Sequence, residues 1–300
     1  MKTKQLTRLG AALLFAGTTS LMALPAVAAA QKSYPTPEAA MEAFNSALLE
    51  GDEAAKQAVL GPNFRKIIPP VGDEVRYQFI EAWVRSHKVQ ADGERSARIE
   101  VGGKGWTLPM PLVKTSGGWR FDMKAGEQEM RIRQIGRNEL AAIEAVKAYV
   151  DAQKEYALKD RDGNGVLEFA TRITSTPGKQ DGLYWSDPAA DASPLGKLFA
   201  EAEGSRKVSG TLYGYRYRIL TAQGPAASGG ARDYIVDGRM TGGFALIAWP
   251  AEYNRLGVMT FIVNQDGQVF ERNLGPATAQ EAGRIRAFNP DKTWRKVDNP

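Results

Sequence analysis

Between Gly126 and Leu158 the hydrophobic residues recur at helical spacing, and the rest of the chain has to be arranged around that stretch. Ile132, Ile135, Leu140, Ile143, Val146, Val150 and Gln153 fall on one side, while Arg131, Arg137, Glu144, Lys147, Asp151 and Lys154 decorate the remainder. Gly136 sits inside the pattern and marks a break, with Asn138 capping a second helix. The boundary between two domains is therefore expected within 125–137. A chain of 300 residues is about two domain lengths, and 43% hydrophobic composition supplies two cores.

Upstream, residues 1–8 are basic, Leu9 to about Met22 are apolar, and small residues follow in Ala26-Val27-Ala28-Ala29-Ala30. This three-part pattern is that of a secretory signal peptide cleaved after Ala28 or Ala30. Its apolar core is short of the roughly 20 residues that span a bilayer, and no later window reaches that length. Residues 34–61 read as helices opened by Thr36-Pro37-Glu38, with Gly51-Asp52 separating two of them. A third helix is expected over 74–89, with Val75, Phe79, Ile80 and Val84 inward. Strands follow at Ser96–Val101, Lys104–Pro109 and Trp119–Met123, separated by glycine turns. The expected organisation is a signal peptide over 1–30, a small α+β domain over 31–130, and a second domain over 131–300.

In the second domain, residues 172–210 have little period and a short helix is expected at Leu195–Glu203. Strand character then appears at Tyr213–Thr221, Ala231–Val236, Gly243–Trp249, Val258–Val263 and Val269–Asn273, with Asp266-Gly267 as a hairpin turn. The simplest packing lays the long helix on a four- or five-stranded antiparallel sheet. A short helix at Thr278–Ala287 follows, with Phe288 and Trp294 anchoring the tail.

Composition removes several chemistries. The chain has no cysteine and one histidine, His87, so disulfides, thiol nucleophiles, thiolate zinc sites and paired imidazoles are excluded. The formal charge of +5 includes Lys2, Lys4 and Arg8. Without them, 36 basic residues face 34 acidic ones and the charge is near +2, too balanced to argue for nucleic acid. His87 reads as a solvated residue at a helix C-terminus.

Two loops carry the candidate sites. Asp160, Asp162 and Asn164 stand at positions 1, 3 and 5 of a calcium-loop spacing, with Gly165 at the turn. The Val166 carbonyl and Glu168 follow at positions 7 and 9, and Leu167 is the expected core residue. Position 12 is Thr171 where the spacing calls for a bidentate glutamate. The alternative is a helix-terminating turn without metal. The second loop, Thr176–Trp185, offers Lys179, Asp181, Tyr184 and Trp185. With Tyr215 and Tyr253 it forms a candidate ligand or partner surface, and the same aromatics serve equally as packing. Asp181 is the weak catalytic candidate, for a pair with another loop carboxylate such as Asp187, Asp233, Asp237 or Glu252. Phosphate-loop, nucleophile-elbow and dinucleotide patterns are missing.

The runs Gly118-Trp119-Arg120-Phe121-Asp122, Ile135-Gly136-Arg137-Asn138-Glu139-Leu140 and Asp151-Ala152-Gln153-Lys154-Glu155-Tyr156 carry a family likeness. So do Gly178-Lys179-Gln180-Asp181-Gly182-Leu183-Tyr184-Trp185 and Gly257-Val258-Met259-Thr260-Phe261-Ile262-Val263-Asn264. From about residue 34 to 297 the chain resembles a secreted bacterial family defined as domain of unknown function 2950. The resemblance implies an exported protein of shared architecture with no established activity. The second domain is also similar in element order to pseudopilin and pilin heads, although no apolar helix precedes its long helix. The leading expectation is a periplasmic or secreted accessory protein, without a cofactor, that binds an envelope protein or glycan and is not an enzyme. A carboxylate-based hydrolase of envelope glycan and a calcium-stabilised adaptor are the alternatives.

Overall fold

A computed structural model of the chain describes residues 30–185, 187, 191–195 and 211–298. The signal-peptide expectation and most of the Leu195–Glu203 helix lie outside these residues. The chain divides into two compact units, one up to Met123 and one from Lys124 onward.

The first unit opens with α1 (Pro37–Glu50) and α2 (Glu53–Leu60). The Thr36 side chain caps α1 by accepting from the Ala39 N–H at 3.1 Å, and Asp52 caps α2 through the Ala54 N–H at 2.8 Å. A single turn, α3 (Phe64–Ile67), leads to α4 (Asp73–Arg85). The helix expected to reach residue 89 therefore ends at Arg85, and β1 (His87–Ala91) begins two residues later. The reason is a change of period. Lys88-Val89-Gln90 alternates, and Val89 pairs with Ile99 on β2 (Ser96–Val101). Val75 and Val84 are more than half exposed, and Trp83 is the buried residue of α4. Val84 is rotated about 100° from Trp83, away from the packed stripe. The strand expected at Lys104–Pro109 is instead a connection with a single antiparallel bridge to β2, Glu100–Thr107, flanked by hydrogen bonds from the Val101 N–H to the Trp106 carbonyl at 2.9 Å and from the Leu108 N–H to the Ile99 carbonyl at 2.7 Å. Proline lacks a ladder N–H, so pairing resumes only after Pro109 and Pro111, at β3 (Leu112–Thr115) and β4 (Gly118–Phe121). The sheet runs β1-β2-β3-β4, antiparallel throughout. Phe44, Phe79, Trp83 and Phe121 meet at its centre, with Phe44 5.5 Å from Phe121 and 5.7 Å from Trp83 between ring centroids.

The long helix, α5 (Met123–Tyr156), is continuous over 34 residues. Gly136 does not break it. A Cβ there would meet nothing within 4 Å, so the glycine costs only its helix propensity, about 1 kcal/mol. Asn138 caps nothing; it lies inside the helix and is buried. The stripe that packs runs through Ile135, Asn138, Ala142, Val146, Tyr149, Gln153 and Tyr156 at spacings of three and four, leaving Ile132 and Leu140 exposed.

The five-stranded sheet has the order β13-β12-β11-β10-β5 and is antiparallel. Its strands are β5 (Tyr215–Leu220), β10 (Ala245–Pro250), β11 (Met259–Asn264), β12 (Phe270–Asn273) and β13 (Arg295–Lys296). The segment expected as one strand at Ala231–Val236 is split between two small ribbons. One joins β6 (Ala222–Gln223) to β7 (Arg232–Asp233), the other β8 (Ile235–Val236) to β9 (Arg239–Met240). Side chains alternate across the sheet. Tyr217 packs with Ala145 of α5, whereas Arg218 turns to the opposite face. There it donates to the Ala282 carbonyl at 2.8 Å and to those of Gly283 and Ile285, at the end of α6 (Thr278–Arg284). Both faces of the central strands are thus covered, and Ala245–Ala248 and Thr260–Asn264 are buried throughout. Phe288 is buried and Trp294 packs partly against the same core.

Candidate functional site

The polar groups of α5 tie down the irregular segments. Gln153 is fully buried; its Nε2 donates to the Ala170 carbonyl at 2.8 Å and its Oε1 accepts the Ala170 N–H at 2.8 Å. One turn on, the Tyr156 hydroxyl donates to the Gln180 carbonyl at 3.0 Å. Burial raises that phenol above its ordinary pKa, so it remains a donor. At the other end, Asn138 donates to the Leu256 carbonyl at 2.7 Å, and Glu139 accepts the N–H groups of Val258 and Met259 at 2.8 and 2.9 Å. The family-like runs Asn138-Glu139 and Gln153–Tyr156 are therefore the anchors of loops.

After Tyr156 the helix unwinds into the acidic loop. Asp160 accepts the N–H groups of Gly163 and Asn164 on one oxygen, at 2.8 and 3.2 Å, and that of Gly165 on the other, at 2.8 Å. The bond from Gly165 leads the causes that hold its carboxyl below the usual range. Asp162 accepts from the Asn164 side chain at 2.7 Å, and Asn164 Oδ1 accepts the Val166 N–H at 2.8 Å. These are the bonds of a self-contained turn. Leu167, expected in the core, is 58% exposed, because the chain returns to the core only at Phe169 and Ala170.

The second loop doubles back on itself. Thr174 bridges Tyr184, and the Ser175 N–H donates to the Tyr184 carbonyl at 2.8 Å. Asp181 staples this bend by accepting the Thr176 N–H at 2.7 Å and the Thr176 hydroxyl at 2.8 Å, with the Arg172 guanidinium 3.7 Å away. Partial burial opposes ionisation, but the two Thr176 bonds and Arg172 outweigh it and hold the carboxyl below its ordinary pKa. Leu183 and Trp185 turn into the core, and the Trp185 indole N–H donates to the Asp191 carbonyl at 2.6 Å.

The two loops enclose a cleft of about 510 Å³ lined by Tyr156, Arg161, Asp162, Glu168, Lys179 and Asp181, among others. A second cleft, of about 600 Å³, lies across the same Gly178-Lys179-Gln180 turn and is lined by Tyr184, Trp185 and Asp187. Arg161 is fixed at the first. Its guanidinium sits 4.9 Å from the Tyr156 ring centroid and 5.1 Å from that of Trp185, and donates to the Tyr156 carbonyl and to Gln180 Oε1. Burial pushes the Glu168 carboxyl above its ordinary pKa, Asp162 adds to the push, and Arg239 opposes it. Among the described residues, Arg161, Lys179 and Glu168 make no ion pair.

Of the residues singled out in the sequence, Lys179, Asp181, Tyr184 and Trp185 do line these clefts. Tyr215 does not. It is completely buried, its hydroxyl donates to the Met259 carbonyl at 2.9 Å, and its ring leaves no room for a Cβ on Gly257. Tyr253 is half-buried in the turn between β10 and β11 and lines neither cleft. Glu252 pairs with Arg255. His87 opens β1, stacked on Trp83 at 4.8 Å, with Nδ1 2.9 Å from the Trp83 carbonyl. Sequence reasoning missed Arg161 and Gln180; the aromatic residues flanking the acidic loop were the available signal for the arginine.

Among the described residues, no group of three or more His, Cys, Asp or Glu side chains is placed to hold a metal ion. No described helix is long and apolar enough to cross a membrane. No curated protein and no solved structure matches the chain, so the likeness to pilin heads rests on element order alone. A family model does match, over residues 31–297, and this span takes in both units and both loops. The chain belongs to the family of proteins of unknown function DUF2950.

Proposed function

We propose that the protein is an exported accessory protein of the bacterial periplasm that binds an envelope component in the clefts about Gly178-Lys179-Gln180. One observation carries this reading. The acids Asp160 and Asp181 are committed to their own turns, while Arg161, Lys179 and Glu168 bring unpaired charge to the cleft those turns build. Charge placed in a concave site without an internal partner is the mark of recognition, because a ligand then supplies the partner. The exported setting rests on the basic, apolar and small-residue pattern of residues 1–30. N-terminal sequencing of the mature protein is expected to start at Ala29 or Gln31, and an intact Met1 in the fractionated protein would remove that part of the reading.

Amide NMR of the full mature chain, titrated with soluble fragments of the cell envelope, tests the binding itself. Shifts are expected at Glu168 and Gly178–Gln180. Shifts confined to other regions would refute the cleft as the binding site. A second reading, hydrolysis of envelope glycan, is favoured by one feature: Glu168, with its raised pKa, shares the cleft with Asp181, whose pKa is lowered. It predicts new reducing ends from envelope glycan, lost in Glu168→Gln. No cleavage by the wild-type protein removes it.

A further inference from the structure

We infer that the cleft between the acidic loop and the Gly178-Lys179-Gln180 turn takes a short zwitterionic peptide, whose free carboxylate meets Arg161 and Lys179 and whose amino group meets Glu168. This deepens the binding reading and rests on it. The Arg161 guanidinium, held against the rings of Tyr156 and Trp185, with Nε on the Tyr156 carbonyl and Nη1 on Gln180 Oε1, is preoriented before any ligand arrives. Its hydrogen-bond acceptors are neutral and it makes no ion pair within 4 Å among the described residues, although Asp191 is close enough to feel its charge. Lys179, exposed at the tip of the turn, lines the same cleft and adds a second cation.

The opposite sign is also present. Glu168 is half-buried, lines the cleft, and has no hydrogen-bond or ion-pair partner among the described residues, with the like charge of Asp162 beside it and Arg239 acting only from beyond ion-pair distance. The other acid of the lining, Asp181, is occupied by Thr176 and Arg172 and forms wall rather than contact. A purely anionic ligand would leave Glu168 facing a like charge, and a purely cationic one would do the same to Arg161 and Lys179. A ligand carrying both signs answers both, and about 510 Å³ suits a molecule of dipeptide size. A neutral saccharide would leave all three charges unpaired. Its flat stacking partners are also taken, since Arg161 already covers Tyr156 and Trp185.

Calorimetric titration of the full mature chain with the dipeptide Ala-Ala and its N-acetylated and C-amidated forms tests this, with a neutral glucan oligosaccharide alongside. The free dipeptide is expected to bind. Capping either end is expected to weaken binding by about tenfold or more. Lys179→Ala and Glu168→Gln are both outside the packed core; the first is expected to narrow the discrimination against the amidated form, Arg161 remaining, and the second to abolish that against the acetylated form. If capped and free peptides bind equally well, the charge assignment is wrong while the binding reading stands. If the saccharide binds and no peptide does, the ligand class is wrong and the cleft remains a binding site. If no probe binds here and envelope fragments leave the cleft amides unshifted, the binding reading fails as well.

Discussion

Gln153 shows how much a single side chain holds. It satisfies both backbone groups of Ala170 from inside the core, imitating a strand neighbour where no strand exists. Removing it orphans a buried donor and acceptor, at roughly 1–3 kcal/mol each. Gln153→Ala is therefore expected to cost about 3 kcal/mol, which lowers Tm by roughly 6–12 °C for a unit of this size. A change under about 2 °C by calorimetry would contradict the pairing. Gly257→Ala belongs beside it, because a Cβ there collides with the buried Tyr215 ring. Displacing that ring is an overpacking cost of about 1–3 kcal/mol in a chemical melt. Asp181 gives a pH signature. Its folded pKa lies below the unfolded value, so its stabilisation is present above the ordinary aspartate pKa of about 3.9 and is lost as pH falls through the folded value. The protection factor of the Thr176 amide, corrected for its intrinsic exchange rate at each pH, is expected to be high at neutral pH and to fall on acidification through the folded pKa of Asp181; the same profile in Asp181→Asn would show that the staple is not ionic. The sequence placed Gln153 on the inward side of its helix. Nothing local said that its partner stands 17 residues away, since side-chain pairing of this kind is decided by tertiary placement.

At the level of elements, α5 organises the second unit. It packs on the sheet through an apolar stripe and sends polar side chains from both ends into the loops at 170, 180 and 256–259. The helix and the main strands were legible because period 3.6 and period 2 differ over long windows. The errors came where windows were short. Residues 86–89 carry too few alternations to separate from a helix end, and the split of Ala231–Val236 depends on contacts with Thr221 and Gln223. The acidic loop shows the same ambiguity in its chemistry, because the residues that ligate calcium also cap turns. In the structure its side chains do the second. Asp160→Ala is expected to lower the melting temperature by the same amount with and without calcium. A loss of stability confined to calcium-containing buffer would restore the metal reading.

For the whole molecule, the proposed binding site lies on loops held by a rigid frame, which is how a binding surface keeps its shape. Four of the six residues expected at a partner surface do line the clefts. Tyr215 does not, because alternation along β5 puts it on the same face as Tyr217, where it takes the packing role. Arg161 is not legible in the sequence, because an arginine inside an acidic loop reads as a solvated charge and only its stacking on two rings shows otherwise. Filling the cleft is the most direct test. Thr171 is exposed on its rim, so Thr171→Trp occupies the space with little demand on the core. Binding of envelope fragments is measured for this variant and the wild type, with circular dichroism confirming that both are folded. Binding is expected to fall by about tenfold or more while the fold is retained. Unchanged binding by a folded variant would contradict it.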